Sequence, residues 1–235
     1  GTLSLMGPYS RAILAQVTDA EITNDAFPFG HVRVIDIDGV PVRALRLTYV
    51  GELGWELHMP IHGIGKVFDA LMEAGEDYLL RPVGYRALES LRLEKGYRAW
   101  GSDITPNDNP FEAGLGWAVK LKTGRDFIGR DACARAKAAP LAKMLSGFVT
   151  DNPDAVLVGR ETILRNGEFA GYLTSGGFGY TIGKPVGYGY IRMSEGTNDL
   201  WLSEGDYELV VAGDTLKATI ATRPLFDPEM RRIKA

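Results

Sequence analysis

Apolar and polar positions alternate most clearly over residues 31–38, where Val32, Val34, Ile35 and Ile37 give a strand-like pattern. Asp38-Gly39 is a turn signal, and a second strand is expected over 40–49, carrying Val42, Leu45 and Leu47. After Gly51-Glu52-Leu53-Gly54 a third strand is expected over 55–59. Helical spacing marks other stretches. Pro8 opens a helix whose apolar face is Ala12, Ile13 and Val17. Residues 63–75 place Val67, Phe68, Leu71 and Met72 at helical intervals. Residues 81–95 form a second amphipathic helix, lined by Val83, Ala87, Leu88 and Leu91, with Gly96 as its C-terminal cap. A loop over 103–116, a short strand over 117–121 and a short helix over 129–136 follow.

The pattern then changes. Residues 137–143, with Pro140, read as a linker. From Met144 onward helix signals disappear, and short strands are expected at 145–150, 162–165, 168–174, 186–192, 207–211 and 216–221. Asn166-Gly167 and Ala212-Gly213-Asp214 are turn signals between them. Short strands at this spacing predict a small antiparallel barrel or sandwich. The expected organisation is α+β: a mixed domain over 1–142 and an all-β domain over 143–235. No repeat of 20–50 residues is visible.

Composition narrows the function classes. Among 235 residues, 26 Lys and Arg face 30 Asp and Glu, a net charge of −4. That balance gives no electrostatic case for nucleic acid or an anionic membrane. No apolar run is long enough to span a bilayer, and no signal peptide is read at the start. A single cysteine, Cys133, excludes an internal disulfide framework and any multi-cysteine metal site, and fits a reducing compartment. The expected location is therefore the cytoplasm, or the mitochondrial matrix in a eukaryote. His58 and His62 have an i,i+4 spacing, but Pro60 interrupts it. No metal site is expected.

Several chemistries lack their motifs. There is no Gly-x-Gly-x-x-Gly between a strand and a helix, no complete phosphate loop around Gly183-Lys184, and no Gly-x-Ser-x-Gly. Residues 7–10 and 175–179 read as tight turns. The most informative stretch is Tyr49-Val50-Gly51-Glu52-Leu53-Gly54-Trp55-Glu56-Leu57. A hairpin centred between Glu52 and Leu53 would set Tyr49 directly opposite Glu56. A ring beside a carboxylate suits a flat ligand with adjacent N–H donors, because one carboxylate accepts two parallel hydrogen bonds. A surface aromatic–acid pair fits the same spacing. A second cluster, Arg86, Glu89 and Arg92, lies at i,i+3 steps on one helix flank and reads as a solvated salt-bridge face. The tail Tyr97-Arg98-Ala99-Trp100 fits either surface or docking roles.

Three runs together resemble the folate-binding aminomethyltransferase family: residues 49–56, residues 91–103, and Asn109-Pro110-Phe111-Glu112-Ala113-Gly114-Leu115-Gly116-Trp117. The family includes the T-protein of glycine cleavage and the C-terminal half of dimethylglycine and sarcosine dehydrogenases or oxidases. The resemblance continues through Asp126-Phe127-Ile128-Gly129-Arg130, residues 171–180 and Leu225-Phe226-Asp227-Pro228-Glu229, and so covers nearly the whole chain. It implies a folate-binding α+β core, incomplete at its N-terminus, followed by a small β-barrel. Glu56 matches the pterin-holding glutamate of a Tyr-x-Gly-Glu-x-Gly-x-Glu motif. Tyr49 matches that motif's leading tyrosine, and Trp117 an aromatic position of the folate pocket.

The resemblance implies tetrahydrofolate as cofactor and a small N-methyl amine as substrate. It also implies a flavin (FAD) domain upstream for a dehydrogenase, or a lipoyl carrier protein as partner for an aminomethyltransferase. Leu88 stands where T-proteins carry an arginine before the acidic residue, here Glu89, which favours the dehydrogenase branch. Arg86 is a supporting candidate two residues away. The family's catalytic aspartate lies upstream of the region matching Leu5-Met6-Gly7-Pro8, and Asp19, Asp25 and Asp36 do not replace it by motif. No catalytic residue is therefore assigned, and the chain alone is expected to be inactive. A non-catalytic docking module is the alternative of another class.

Overall fold

The computed structural model describes residues 1–193 and 199–235. The chain divides into two compact units. The first comprises Gly1–Leu91 together with Asp227–Ala235, and the second Arg92–Phe226.

The first unit is built on a four-stranded antiparallel sheet. Its strands are β1 (Thr2–Met6), β2 (Val32–Ile37), β3 (Val40–Leu45) and β4 (Gly54–His58), in the spatial order β1-β4-β3-β2. β2 and β3 form the expected hairpin. Asp38 and Gly39 sit at φ 50° and 78°, as a two-residue type I′ turn requires. One sheet face carries Leu5, Ile35, Ile37, Val42, Ala44, Trp55 and Leu57 into the core. Two helices pack on that face: α1 (Ser10–Leu14), through Ile13 and Leu14, and α2 (Ile64–Ala74), through Val67 and Leu71. The first helix is shorter than its pattern suggests. Gly7 at φ 139° holds the chain in a turn, and the Ser10 hydroxyl donates to Leu53 O at 3.0 Å. β1 has no counterpart in the sequence reading.

The third helix, α3 (Tyr85–Lys95), begins four residues later than expected. Gly84 and the Arg81-Pro82 pair precede it, and proline disfavours helical geometry at the residue before it. Gly96 caps it at φ 70°. Its buried face also differs from expectation. Val83 and Ala87 are exposed, while Ser90, Arg92, Leu93, Glu94 and Lys95 are buried. The expected strand over 117–121 is absent. Residues Gly116–Ala118 form a 3₁₀ turn, because no neighbouring strand pairs there. α4 (Arg130–Ala138) follows at the expected place.

The second unit contains a closed antiparallel barrel of β5 (Lys143–Thr150), β6 (Thr162–Arg165), β7 (Glu168–Gly179), β8 (Lys184–Arg192), β9 (Tyr207–Val211) and β10 (Asp214–Ala221). Their order is β10-β5-β8-β7-β6-β9. The turns at Asn166-Gly167 and Ala212-Gly213 again have positive φ at both positions. Residues 175–179, read as a turn, belong to β7 instead. A short helix, α5 (Asp199–Ser203), interrupts the all-β region. Phe148, Ile163, Leu173, Ile191, Leu202, Tyr207 and Leu209 fill the barrel. Gly171 on β7 lies so close to β8 that a Cβ there would stand 1.9 Å from Tyr190 O. Among the described residues no helix is long and apolar enough to cross a membrane.

Candidate functional site

β4 runs between β1 and β3, and Glu56, Leu57 and His58 have a cross-strand neighbour on either side. Glu56 stands opposite Ser4 and Leu45, and His58 opposite Thr2 and Arg43. The strand alternation points Trp55 and Leu57 inward and Glu56 and His58 to the other face. The Glu56 carboxylate is 29% exposed. Its Oε2 lies 3.3 Å from His58 Nε2, and His58 Nδ1 lies 3.2 Å from Thr2 Oγ1. Among the described residues, none donates to Oε1.

The support beneath is buried and aromatic. Trp55 is fully buried and packs edge-on against Phe27, with ring centroids 6.2 Å apart. The Arg11 and Arg46 guanidinium carbons each lie 5.8 Å from the Trp55 ring centroid, within cation–π range. Burial pulls both arginines below their ordinary pKa. Arg46 donates to Phe27 O at 2.7 Å, and both side chains donate to Ala235 O, at 2.8 Å from Arg11 and 3.0 Å from Arg46. The terminal segment thereby belongs to the base under the site.

The expected register of the hairpin is corrected. Leu45, not Tyr49, faces Glu56. β3 stops at Leu45 because Arg46 turns its backbone to Gly30 and His31 and buries its side chain. The connection to β4 is therefore eight residues long, 46–53, and Tyr49 lies within it, half-buried. That segment is tied down at several points. Gly7 N donates to Leu53 O at 2.8 Å, Val50 N to Thr48 Oγ1 at 3.2 Å, and Arg232 pairs with Glu52 at 2.8 Å. Gly51 supplies the positive φ its turn needs.

The other candidates sit elsewhere. Arg86 is exposed in the first turn of α3. Trp117, in the second unit, is 71% exposed. His58 ends a strand and His62 lies in a 3₁₀ turn. An open cavity of about 870 Å³ in the first unit is lined by Gln16, Asp36, Lys66, Asp69 and Glu73, among others. Neither Tyr49 nor Glu56 reaches it. Its size reflects a broad, open groove rather than convergent chemistry.

A charged cluster that sequence reasoning missed lies in the second unit. Arg92, expected on a solvated flank, is buried and donates to Asp103 Oδ2 at 2.5 Å. Ala99 N donates to the same oxygen at 3.0 Å, while Thr174 and Ser175 hydroxyls donate to Oδ1 at 2.5 and 2.6 Å. Arg92 also donates to Ser175 Oγ at 2.8 Å. Nearby, Glu94 Oε1 accepts the Thr181 and Ile182 amides at 2.6 and 2.9 Å. The only sequence signal for these contacts was a helix whose charged positions fall where a core face should be.

Comparison with known proteins places this geometry in a family. The family model described as GCVT N-terminal domain matches residues 1–123, and that of the glycine cleavage T-protein C-terminal barrel domain matches 143–227. Mitochondrial sarcosine dehydrogenase of Mus musculus is 43% identical over 236 residues, covering 100% of this chain and 26% of that protein. Mitochondrial dimethylglycine dehydrogenase of Mus musculus is 35% identical, again over 100% of this chain and 26% of its own length. An aminomethyltransferase of Symbiobacterium thermophilum is 32% identical over 98% of this chain and 60% of its own. The crystal structure of glycine cleavage system aminomethyltransferase T from Bartonella henselae superposes with a TM-score of 0.79 at 26% identity, covering 97% of this chain and 60% of that one. The chain spans about a quarter of the dehydrogenases it matches. With a mixed helix-and-sheet fold, a closed six-stranded barrel and both family models matched, the chain belongs to the glycine cleavage T-protein family.

Proposed function

We propose that this chain is part of a tetrahydrofolate-dependent one-carbon-transfer enzyme of the demethylating dimethylglycine/sarcosine dehydrogenase kind. The observation that carries the reading is Glu56. It is a partly exposed carboxylate on a central strand, with one oxygen uncommitted and a buried apolar core behind it. Such a group accepts paired N–H bonds from an aminopyrimidinone edge. Tyr49, on the anchored 46–53 segment, is assigned to the same pterin pocket, and Trp117 to its aromatic packing. The family motif carries both of these assignments. Arg86 is a supporting candidate only.

When bound, tetrahydrofolate supplies the N5 nucleophile that takes up the one-carbon unit, with methylene-tetrahydrofolate and the demethylated amine as products. This chain's part is to hold and orient the ring, replacing a bimolecular encounter by a positioned one. Oxidation of an N-methyl amine is assigned to a flavin domain elsewhere in the parent protein. The 43% identity to a sarcosine dehydrogenase, against 32% to an aminomethyltransferase, favours this branch, as does Leu88. Lipoyl-protein-dependent methylene transfer by the full-length protein would support the aminomethyltransferase reading instead. We further propose 1–142 and 143–235 as its two domains, and mitochondrial matrix or cytoplasm as its location. Residues 1–235 by themselves are expected to be inactive in transfer.

Calorimetric titration of tetrahydrofolate into the full-length protein and its Glu56→Ala variant tests the reading. A loss of at least tenfold in affinity is expected. Equal heats from both would overturn the Glu56 assignment.

A further inference from the structure

We infer that His58 is a positioning residue that aims the Glu56 carboxylate, through a Thr2–His58–Glu56 hydrogen-bond line across the open face of the sheet. This rests on the folate reading of Glu56. Three side chains on two adjacent strands make the line: Thr2 on β1, and His58 and Glu56 two residues apart on β4. His58 is directly opposite Thr2, so its ring is bounded by a hydroxyl at 3.2 Å on Nδ1 and a carboxylate oxygen at 3.3 Å on Nε2.

The arrangement selects one tautomer of the neutral ring. An ionised carboxylate can only accept, so Nε2 carries the proton and donates to Glu56 Oε2. Nδ1 is then the acceptor, and the Thr2 hydroxyl donates to it. Every polar atom of the ring is used with its natural sign, and the Glu56 carboxylate loses one lone pair of Oε2 only. Oε1 and the remaining lone pair of Oε2 accept from none of the described residues, and so can take two parallel N–H donors. The other side chain opposite His58 is Arg43, on β3, which is exposed. Without the imidazole, nothing else among the described residues fixes the carboxylate's rotation, and it would sample orientations that present one oxygen at a time.

The test compares tetrahydrofolate affinity of the full-length protein with that of its Glu56→Ala, His58→Ala, His58→Gln and Thr2→Val variants. Glutamine keeps an N–H donor near the place of Nε2. His58→Ala is expected to weaken binding about fivefold to tenfold, His58→Gln to recover to within about twofold of the parent, and Thr2→Val to lose about twofold to threefold. Nitrogen-15 NMR of the imidazole is expected to report the Nε2–H tautomer. If Glu56→Ala binds like the parent, the folate reading of Glu56 fails. If Glu56→Ala loses binding while His58→Ala does not, the His58 inference fails alone. Equal losses in His58→Ala and His58→Gln, or an Nδ1–H tautomer, overturn it as well, since shape rather than donation would then be at work.

Discussion

Asp103 and Glu56 are both carboxylates beside a nitrogen base, in different units of the same chain, and they are used in opposite ways. Asp103 is wholly buried, and all four of its acceptor positions are taken by Arg92, Ala99 N, Thr174 and Ser175. Such a group has nothing left to offer a ligand. Its removal would take from Arg92, which is buried too, the carboxylate it pairs with. Glu56 is partly exposed and has one partner, His58, at a looser 3.3 Å. The lesson is that the strength of a charged contact and its availability run against each other. The tighter of these two contacts is structural, and the weaker one marks the candidate site.

The comparison can be broken at either end. The largest effect is expected from Asp103→Ala, which takes a buried carboxylate from the buried Arg92 and should cost about 3–5 kcal/mol in denaturant unfolding. A cost below about 1 kcal/mol would show the network to be dispensable. Asp108 comes next. Burial opposes its ionisation, but hydrogen bonds from Lys143 and Thr105 win and hold its carboxyl below the usual range. A depressed folded-state pKa adds stability above the unfolded value of 3.8, and that stability is lost as pH falls through the folded pKa. Asp108→Asn should therefore cost about 2 kcal/mol at pH 7, the worth of a charged hydrogen bond. The gap should close under acid, and a gap unchanged between pH 7 and pH 2 would contradict this. The smallest stability effect belongs to Glu56→Ala, within about 0.5 kcal/mol, as for a surface group with one loose partner. A melt lowered by many degrees would move Glu56 into the structural class.

What could be read from the sequence was what is local. The turns at Asp38-Gly39, Asn166-Gly167 and Ala212-Gly213 were legible because positive φ restricts the residues that can occupy them. The barrel strands were legible from alternation between such turns. β1 was not, since five residues with two inward leucines become a strand only by pairing with β4, some fifty positions away. Trp117 has the residue type of a strand but no partner. The buried face of α3 was misread because its charged positions are satisfied by distant groups, Asp103 and the Thr181 and Ile182 amides. At the site, the outward facing of Glu56 follows from alternation with Trp55 and Leu57. Its register did not, because the burial of Arg46 lengthens the connection to β4 beyond a tight turn.

The return of Asp227–Ala235 to the first unit has a consequence for synthesis. Ile233 is buried, and the carbonyl of Ala235 receives both Arg11 and Arg46 beneath Trp55. A ribosome makes the sheet before the barrel and these nine residues after it. Until then the two arginines lack that acceptor, and the floor under Glu56 is unfinished. The sheet, translated before the barrel, is thus completed only after it, and a nascent chain stalled within the barrel should carry a sheet that is still open to proteolysis.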